Sequence, residues 1–574
     1  MASPPSPLHS DVRDLRRSSR RILAVWLLAA ALLVPRFAVL DRVVTPDEPS
    51  WLVNAGGFYR ALSQGDYGDT YRIEHPGVTT MWIGMGAYLW AYPDYPQDSP
   101  RQFDWWESDQ YDAVLNAHDQ DPMDILIPAR VGMMLVFSLT MLLAFFAAIR
   151  RFSFSVALLG FAIIAFDPMF LALSGLLHVD ALLSAFTLVS LLALWNYWSD
   201  GRRRDLIVSS IALGLAVLTK SPALFLLPFG AGIGLWMALE WHGVRPSVTR
   251  ARLVTAVRTI AIWAALGLMV FVVLWPAMWT DPIGTGPWIV RGSAGHALDG
   301  HESALFFNGD VYEGDPGWNF YPLAYFWRAS PVVLIGLILF TLSLIPAFRR
   351  FMSDDERRTA LMLGGFSLGF MCFMTLGAKK FDRYLLPIFG PLDIVAALGW
   401  VSAIVWLIHV TQARRALVFA ACVAGLAVIQ AAVALSTAPY YFSYYNPLLG
   451  GTAAAADVLM IGWGEGLDGA AEYLNDQPDA ADLRVATSAW GGTFSYFFDG
   501  TTVPGRYNVD KADYYVLYYN QVQRRAVPEP FMQMLETHPV VYRSELSGLE
   551  YLRVYDLRRQ VHIEWLPMHV DAPT

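Results

Sequence analysis

About eleven apolar blocks, most of them roughly 18 to 22 residues long, run from residue 22 to residue 436. A helix rises about 1.5 Å per residue, so a block of this length crosses the hydrocarbon core of a bilayer. The composition agrees, because 55% hydrophobic and 16% charged residues are too apolar a mixture for an ordinary soluble globule. We therefore predict an all-α polytopic membrane protein with about eleven transmembrane helices, near 22–40, 128–149, 153–171, 178–198, 206–219, 222–240, 259–277, 329–348, 359–376, 384–409 and 416–436.

The first block follows a cluster of arginines between Arg13 and Arg21, as the apolar part of a signal peptide does. It is long, however, carries Pro35 and Arg36 near its end, and lacks a small-residue cleavage site. We therefore expect a retained first span, with residues 1–21 as a cytoplasmic tail.

Short basic clusters occur at every second connection between the blocks. If the N-terminus is cytoplasmic, each cluster lies inside, as the positive-inside rule requires. We therefore predict a multi-pass protein of the cell (plasma) membrane with an extracytoplasmic C-terminus. The clusters are Arg150-Arg151, Arg202 to Arg204, Arg245 to Arg258, Arg349 to Arg358 and Arg414-Arg415.

Three longer segments lie on the predicted outer side, at 41–127, 278–328 and 437–574. Acidic residues dominate the first of them, and the net charge of −9 argues against nucleic acid as a partner. Both cysteines, Cys372 and Cys422, lie in predicted spans, which leaves no disulfide or zinc framework for the outer segments.

The residues after 436 predict an extracytoplasmic α/β domain. Apolar periodicity favours a helix near 465–476 and strands near 483–488, 513–519, 539–545 and 549–556. The expected domains are 1–21, a transmembrane domain over 22–436, and 437–574.

Two adjacent carboxylates, Asp47 and Glu48, stand between Pro46 and Pro49 a few residues beyond the first block. Proline on both sides restricts the backbone and discourages a helix at this point. A rigid turn at the outer membrane surface would suit a catalytic carboxylate. The other interpretation is an N-cap with a solvated neighbour, for a helix that begins near Ser50.

A histidine, His75, precedes Pro76-Gly77 just before the apolar stretch Val78 to Tyr92. It could bind a substrate. A single histidine before Pro-Gly is also typical of a turn.

His178 and Asp180 stand at the outer end of the fourth block, close in sequence to Asp167. Ionisable groups at membrane depth are costly and usually face a cavity or a partner, so both are candidates for substrate binding. The alternative is that Asp180 is only the cap of the fourth helix.

Three cations, Lys379, Lys380 and Arg383, occupy an outer loop before the tenth block. The positive-inside rule gives no reason for cations on this side, whereas an anionic head group at the outer leaflet does. The alternative is pairing with Asp382 or with anionic lipid. Lys220, at the outer end of the fifth block, is a further cation of this kind.

Together these features resemble the membrane-embedded glycosyltransferases of the C-type fold, in particular family 39, the protein O-mannosyltransferases, and the related aminoarabinose lipid A transferases. The first outer loop of those proteins opens with an Asp-Glu-type pair, matched here by Asp47 and Glu48. The mannosyltransferases continue with a His-Pro-Pro-Leu-Gly run, of which this chain keeps only part at 75–77.

A late Lys…Arg-Tyr-Leu-Leu-Pro stretch of many bacterial members is matched by Lys380 and by the run from Arg383 and Tyr384 to Pro387. The resemblance covers most of 22–436. The shortened His-Pro element and the α/β tail depart from the eukaryotic mannosyltransferases, which puts a protein acceptor in doubt.

The resemblance implies a hexosyl- or pentosyltransferase that moves a sugar from a polyprenyl-phosphate donor to a hydroxyl of a lipid, glycan or protein on the extracytoplasmic side. The departing phosphate needs no proton at neutral pH, so one general base and a set of cations suffice for a single inverting displacement. Asp47 is the expected base. Substrate-binding roles are expected for Glu48, His75, His178, Asp180, Lys379, Lys380, Arg383 and Tyr384.

Beyond the lipid-linked sugar and membrane lipids, the sequence indicates no cofactor or partner. A divalent metal could assist, but no ligand cluster with recognisable spacing is present, and we expect a metal-independent reaction. The main alternative function is a secondary transporter or lipid flippase, which would favour repeated halves and carboxylates near the bilayer midplane. A sugar-binding or scaffold protein with an inactive site is a third interpretation.

Overall fold

The computed structural model describes residues 7–73, 76–242, 245–300, 304–346, 348–412, 415–489 and 491–558. It divides into two compact units. The larger unit comprises Met1–Arg42 with Asp47–Leu459, and the smaller comprises Val43–Pro46 with Met460–Thr574. The smaller unit begins at Met460, later than the expected boundary at 437, and takes in the short segment just before Asp47.

The larger unit is helical, and the described part of the chain contains eight helices that are long and apolar enough to cross a membrane. Two bent helix pairs raise the number to ten if each pair is one span. The helix Arg203–Thr219, 17 residues long, overlaps the predicted fifth span. The polytopic helical fold is therefore confirmed, with eight to ten spans by length and composition. The eight are Ser19–Val39, Pro122–Ala148, Val179–Asp200, Ser221–Ala238, Arg250–Leu274, Asp354–Thr375, Asp382–Thr411 and Ala416–Leu435.

Both bent pairs break at a proline. Proline fits the first position of a helix, and the residue before it is biased away from helical geometry. Phe154–Ala165 and Pro168–Ser174 are bent by 59°, and Asp167 caps the second helix by accepting from two of its backbone N–H groups. Phe320–Arg328 and Pro331–Ser343 are bent by 112°.

Arginines and aspartates from several connections meet at one end of the helical unit. Arg150 pairs with Asp200 and, at 2.6 Å, with Asp205. Arg151 reaches Asp355 at 3.1 Å. The helix ends that the predicted topology places inside therefore lie together, as the alternation of spans requires. The side of the membrane that this end faces stays a prediction.

The connections at the other ends are themselves folded. Helix Asp47–Gln64 packs on Val78–Ala91, where the Tyr88 hydroxyl donates to the Leu52 carbonyl at 3.1 Å. Further helices of this unit include Tyr95–Asp98, Ser108–Ala117, Ala277–Thr280, Pro282–Leu298 and Gly451–Ala455. It also contains two antiparallel hairpins, β1 (Leu239–His242) with β2 (Arg245–Val248) and β3 (Leu305–Phe307) with β4 (Asp310–Tyr312).

The smaller unit is built on a five-stranded sheet of order β6-β5-β7-β9-β8. β5 (Arg484–Thr487) is parallel to β6 (Thr501–Pro504) and β7 (Tyr514–Tyr518), whereas β9 (Leu549–Asp556) is antiparallel to β7 and to β8 (Val540–Leu546). The expected α/β region is confirmed. The sequence does not predict β6, because its run is short and ends in a proline.

Helix Leu467–Asn475 of this unit corresponds to the predicted helix near 465–476. Helices Tyr519–Gln523 and Glu529–Glu536 follow β7. Tyr515 and Leu517 belong to the same buried cluster as Leu535 of the last helix, so this unit has a hydrophobic core of its own.

Candidate active site

Asp47 is the first residue of the helix Asp47–Gln64, which thus begins before Ser50. The expectation that the flanking prolines keep Asp47 and Glu48 out of a helix is wrong, because proline is tolerated in the first helical turn. Its side chain is 34% exposed. The oxygen Oδ2 lies 3.1 Å from Nε2 of His178 and 3.1 Å from Nη2 of Arg383. Residues from three separate sequence motifs therefore meet at one carboxylate oxygen.

His178 is the N-cap of the helix Val179–Asp200, so Asp180 is not the cap. Nδ1 of His178 accepts from the backbone N–H of Asp180 at 3.4 Å. A neutral imidazole that accepts at Nδ1 carries its proton on Nε2, which is the atom facing Asp47. In this tautomer His178 donates to Asp47 and orients the carboxylate, which leaves the base role to Asp47.

The buried carboxylate of Asp180 gathers the cations of the site. Nζ of Lys220 lies 2.7 Å from Oδ1 of Asp180, and Nε of Arg383 lies 3.7 Å from Oδ2. Nδ1 of His178 is 3.5 Å from Oδ2. Asp180 thus holds Lys220 and Arg383 in place beside Asp47.

The short turn Asp382–Leu385 presents Arg383 and Tyr384 to this cluster. The Arg383 guanidinium lies 4.3 Å from the ring centroid of Phe381, and Nζ of Lys220 lies 4.0 Å from that of Tyr384. Aromatic faces therefore support both cations. Only 9% of the Arg383 side chain is exposed, so its interactions are little screened by solvent.

The cluster is close to electrically neutral, because two carboxylates, Asp47 and Asp180, face two cations, Lys220 and Arg383. Burial alone would raise the pKa of the Asp47 carboxyl. The charge of Arg383 and the hydrogen bond from His178 outweigh burial and hold this pKa well below its usual range. Asp47 is therefore an ionised proton acceptor at neutral pH.

Glu48, the neighbour of Asp47, is fully buried in a two-pronged ion pair with Arg130. Nε and Nη2 of Arg130 lie 2.8 and 2.7 Å from the two carboxylate oxygens, and the backbone N–H of Leu177 donates to Oε1 at 3.0 Å. Both oxygens are thus engaged by protein groups, and this geometry favours a structural role over the predicted substrate contact.

The remaining predicted residues do not join the cluster in the same way. Lys380 is fully buried, pairs with Asp315 and donates to the carbonyl of Gly317 at 3.1 Å. The backbone N–H of Lys379 donates to the carbonyl of Ala297 at 3.2 Å. His75 lies outside the described residues.

Two residues outside the predicted set are also found here, Lys220 within the cluster and Tyr321 beside it. Lys220 is visible in the sequence as an isolated cation between two apolar blocks, although it was not among the predicted site residues. Tyr321 is fully buried, its hydroxyl has no hydrogen-bond partner within the described ranges, and it is close enough to Tyr384 and Asp180 to interact electrostatically. No sequence signal distinguishes Tyr321 from other aromatic residues.

Within the described part of the chain, no group of three or more His, Cys, Asp or Glu side chains is arranged to hold a metal ion. Metal independence stays a prediction.

The family described as dolichyl-phosphate-mannose-protein mannosyltransferase matches residues 124–276, a stretch that includes His178, Asp180 and Lys220. No curated protein matches the sequence. Solved structures with a similar chain path include ArnT from Cupriavidus metallidurans in the apo state, 15% identical over 94% of this chain and 98% of that chain with a TM-score of 0.48. The same protein bound to undecaprenyl phosphate is 15% identical over 93% and 97%, with a TM-score of 0.46.

The S. cerevisiae protein O-mannosyltransferase Pmt1-Pmt2 complex bound to the sugar donor is 16% identical over 50% of this chain and 39% of that chain, with a TM-score of 0.33. Similarities this low do not bear on the substrate. The match over 124–276 confirms the resemblance to membrane glycosyltransferases of the family 39 type. The apolar helices indicate a multi-pass membrane protein.

Proposed function

We propose that this protein is a glycosyltransferase that moves a sugar from a polyprenyl-phosphate donor to a hydroxyl acceptor on the extracytoplasmic side of the cell membrane. One observation carries the proposal. A partly exposed, ionised carboxylate, Asp47, shares a buried cluster with two cations, Lys220 and Arg383. A proton acceptor beside a cationic site suits attack of an alcohol on a sugar phosphate.

The proposed reaction is a single displacement at the anomeric carbon. The acceptor oxygen forms a bond to this carbon from the face opposite the phosphate, while the bond from the carbon to the phosphate oxygen breaks. The acceptor proton moves to Asp47, and the bonding electron pair leaves with the phosphate. The product has inverted configuration, and free polyprenyl phosphate is released.

Lys220 and Arg383 would stabilise the charge that grows on the phosphate as the bond breaks. In this structure both contact carboxylates. An arriving phosphate would compete with Asp47 for the guanidinium of Arg383. The hydroxyl of Tyr321, which has no hydrogen-bond partner among the residues that the structure describes, would be a further donor. Withdrawal of Arg383 would raise the pKa of Asp47 and make it a stronger base. Binding of the donor would thus increase the basicity of Asp47, which accepts the proton in the same reaction.

The test uses the purified full chain in detergent with a panel of synthetic polyprenyl-phosphate hexoses and pentoses, each offered with a pool of hydroxyl acceptors. Release of polyprenyl phosphate and formation of the glycosylated acceptor are followed by mass spectrometry. Asp47→Asn should lower turnover by about 100-fold or more, as for loss of a general base. The matched control is Asp66→Asn, which changes an exposed carboxylate of the same outer segment.

The proposal would be overturned if no donor gave either product. It would also be overturned if the Asp47→Asn variant kept more than about a tenth of the wild-type rate. Transport of a donor across a vesicle membrane without bond cleavage would favour the transporter or flippase.

A further inference from the structure

The four residues before Asp47 pack within the smaller unit. The segment Val43–Pro46 groups with Met460–Thr574, although every neighbouring residue of the chain belongs to the helical unit. Val44 and Thr45 are almost completely buried. Pro46 is joined to Asp47 by a peptide bond, so the position of this segment limits where Asp47 can lie.

A glycine-rich loop, Gly462–Gly466, holds this segment. Gly462, Gly464 and Gly466 have φ angles of 92°, 115° and 83°, which L side chains rarely adopt. A Cβ added to Gly464 would collide with the carbonyl oxygen of Val44 and lie 3.3 Å from its carbonyl carbon. The backbone of Val44 therefore occupies the space that a side chain at 464 would need.

The loop is itself fixed to the sheet. The hydroxyl of Tyr518, in β7, accepts from the N–H of Gly464 at 2.9 Å and donates to Oε2 of Glu465 at 3.0 Å. The N–H of Trp463 also donates to this carboxylate. Tyr518 and Glu465 are 2% and 1% exposed. These buried, charge-assisted bonds make the loop a rigid support.

The helical unit fixes the chain on both sides of the same segment. Nη1 of Arg130 donates to the carbonyls of Leu40 and Arg42 at 2.8 and 2.9 Å, and the same guanidinium holds Glu48. Between these points, Val43 adopts a φ of 38°. A β-branched residue at positive φ is strained, and such strain persists only where the surroundings enforce it.

A glycine-rich loop before a helix could also be an anion site. Here the glycines already have occupants: Gly464 faces the backbone of Val44, and a Cβ at Gly462 would meet the hydroxyl of Tyr518 at 2.8 Å. The buried carboxylate of Glu465 would also repel an anion. The loop therefore fits a role in holding the chain.

We infer that the loop Gly462–Gly466 is a positioning element for catalysis, which fixes Val43–Pro46 and through this segment the place of the Asp47 carboxylate. The catalytic part of this inference rests on the proposed function, whereas the structural part does not.

The decisive variant is Gly464→Ala in the full chain, with Gly548→Ala as the matched control. Gly548 has a similar φ of 80°, but a Cβ there would meet nothing within 4 Å, so the control carries the backbone strain without the collision. A misplaced base costs turnover more than binding, and a shift of about 1 Å can cost 100-fold. We expect Gly464→Ala to lower kcat by at least about tenfold with little change in the donor KM, and Gly548→Ala to leave both unchanged.

Hydrogen–deuterium exchange of the peptide 43–53 supplies a readout that needs no turnover. Gly464→Ala should speed exchange there, and Gly548→Ala should not. If Gly464→Ala fails to fold, Tyr518→Phe, which removes only the hydroxyl that anchors the loop, should show the same two changes.

Faster exchange without any detectable transfer by the wild type would contradict the proposed function and leave the structural part standing. The inference would be overturned if the wild type is active and the folded Gly464→Ala or Tyr518→Phe variant matches Gly548→Ala in both exchange and kcat.

Discussion

Nη2 of Arg383 lies 3.1 Å from Oδ2 of Asp47, although 336 positions separate the two residues in the chain. The expected base and an expected phosphate ligand are therefore partners of each other. This contact sets the proton affinity of the base, because the charge of Arg383 lowers the pKa of Asp47. The contact also makes that proton affinity depend on whether another anion takes the guanidinium.

We predict that Arg383→Gln moves the acid limb of the pH–rate profile to higher pH. Asp47 must be ionised to accept a proton, and without Arg383 its pKa should rise towards the ordinary value of about 4. The measurement is kcat/KM between about pH 3 and pH 8. Arg101→Gln, which removes an exposed arginine that pairs with Glu107, is the control and should leave the limb in place.

The same wild-type data test whether the donor activates the base. The profile of kcat reports the enzyme–donor complex, and that of kcat/KM reports the free enzyme. If phosphate draws Arg383 away from Asp47, the acid limb of kcat lies at higher pH than that of kcat/KM. Coinciding limbs would mean that the contact between Arg383 and Asp47 persists in the complex.

The two buried outer lysines should differ in their importance for catalysis. Lys220→Gln removes a cation of the cluster and should lower kcat by about 100-fold to 1,000-fold, as loss of one transition-state donor does. Lys380→Gln breaks a pair with the half-exposed Asp315, which water can solvate, and should change kcat by less than about fivefold. If kcat fell equally in the two variants, Lys380 would again be a candidate ligand of the phosphate.

The membrane spans are predictable because their signal, apolar length, is local. The prolines beside Asp47 mark the position but do not exclude a helix, because proline is tolerated in the first turn of a helix. The partners within the site are not local. Arg383 and Lys380 stand in one loop, yet Arg383 meets Asp47 and Lys380 meets Asp315, and only long-range packing decides between these directions.

The pair Asp47 and Glu48 shows the same limit at neighbouring positions. Successive residues of a helix point about 100° apart, so one carboxylate is partly exposed while the other is enclosed by Arg130. The sequence identifies the pair, but it does not reveal that only one member faces the cluster.

Glu48→Gln should destabilise the protein much more than it alters substrate binding. Removing one partner of a fully buried ion pair leaves Arg130 uncompensated and costs about 3–5 kcal/mol. Glu107→Gln, in the partly exposed pair with Arg101, should leave the free energy of unfolding close to the wild-type value, because solvent screens such a pair. The free energy of unfolding in detergent measures both. Normal stability with a raised donor KM for Glu48→Gln would instead support the substrate contact predicted from the sequence.

Asp393 offers the sharpest test between an enzyme and a transporter. It lies in the span Asp382–Thr411, is fully buried, and neither carboxyl oxygen has a hydrogen-bond partner among the described residues. Asp167 is close enough to interact with it electrostatically. The proposed reaction gives Asp393 no part in transfer.

Asp393→Asn should therefore leave the unfolding temperature and kcat close to the wild-type values, because an amide of the same shape fills the same space and no hydrogen bond to a described residue is lost. Asp180→Asn is the matched control, since Asp180 is equally buried but pairs with Lys220. Its loss should lower both stability and kcat, as removal of one partner from a buried ion pair does. If Asp393→Asn lowered the unfolding temperature and kcat as much as Asp180→Asn does, the carboxyl group of Asp393 would have a functional ligand within the membrane, such as a proton or a cation. Intramembrane acids with such partners are typical of transport pathways, and this result would favour the transporter.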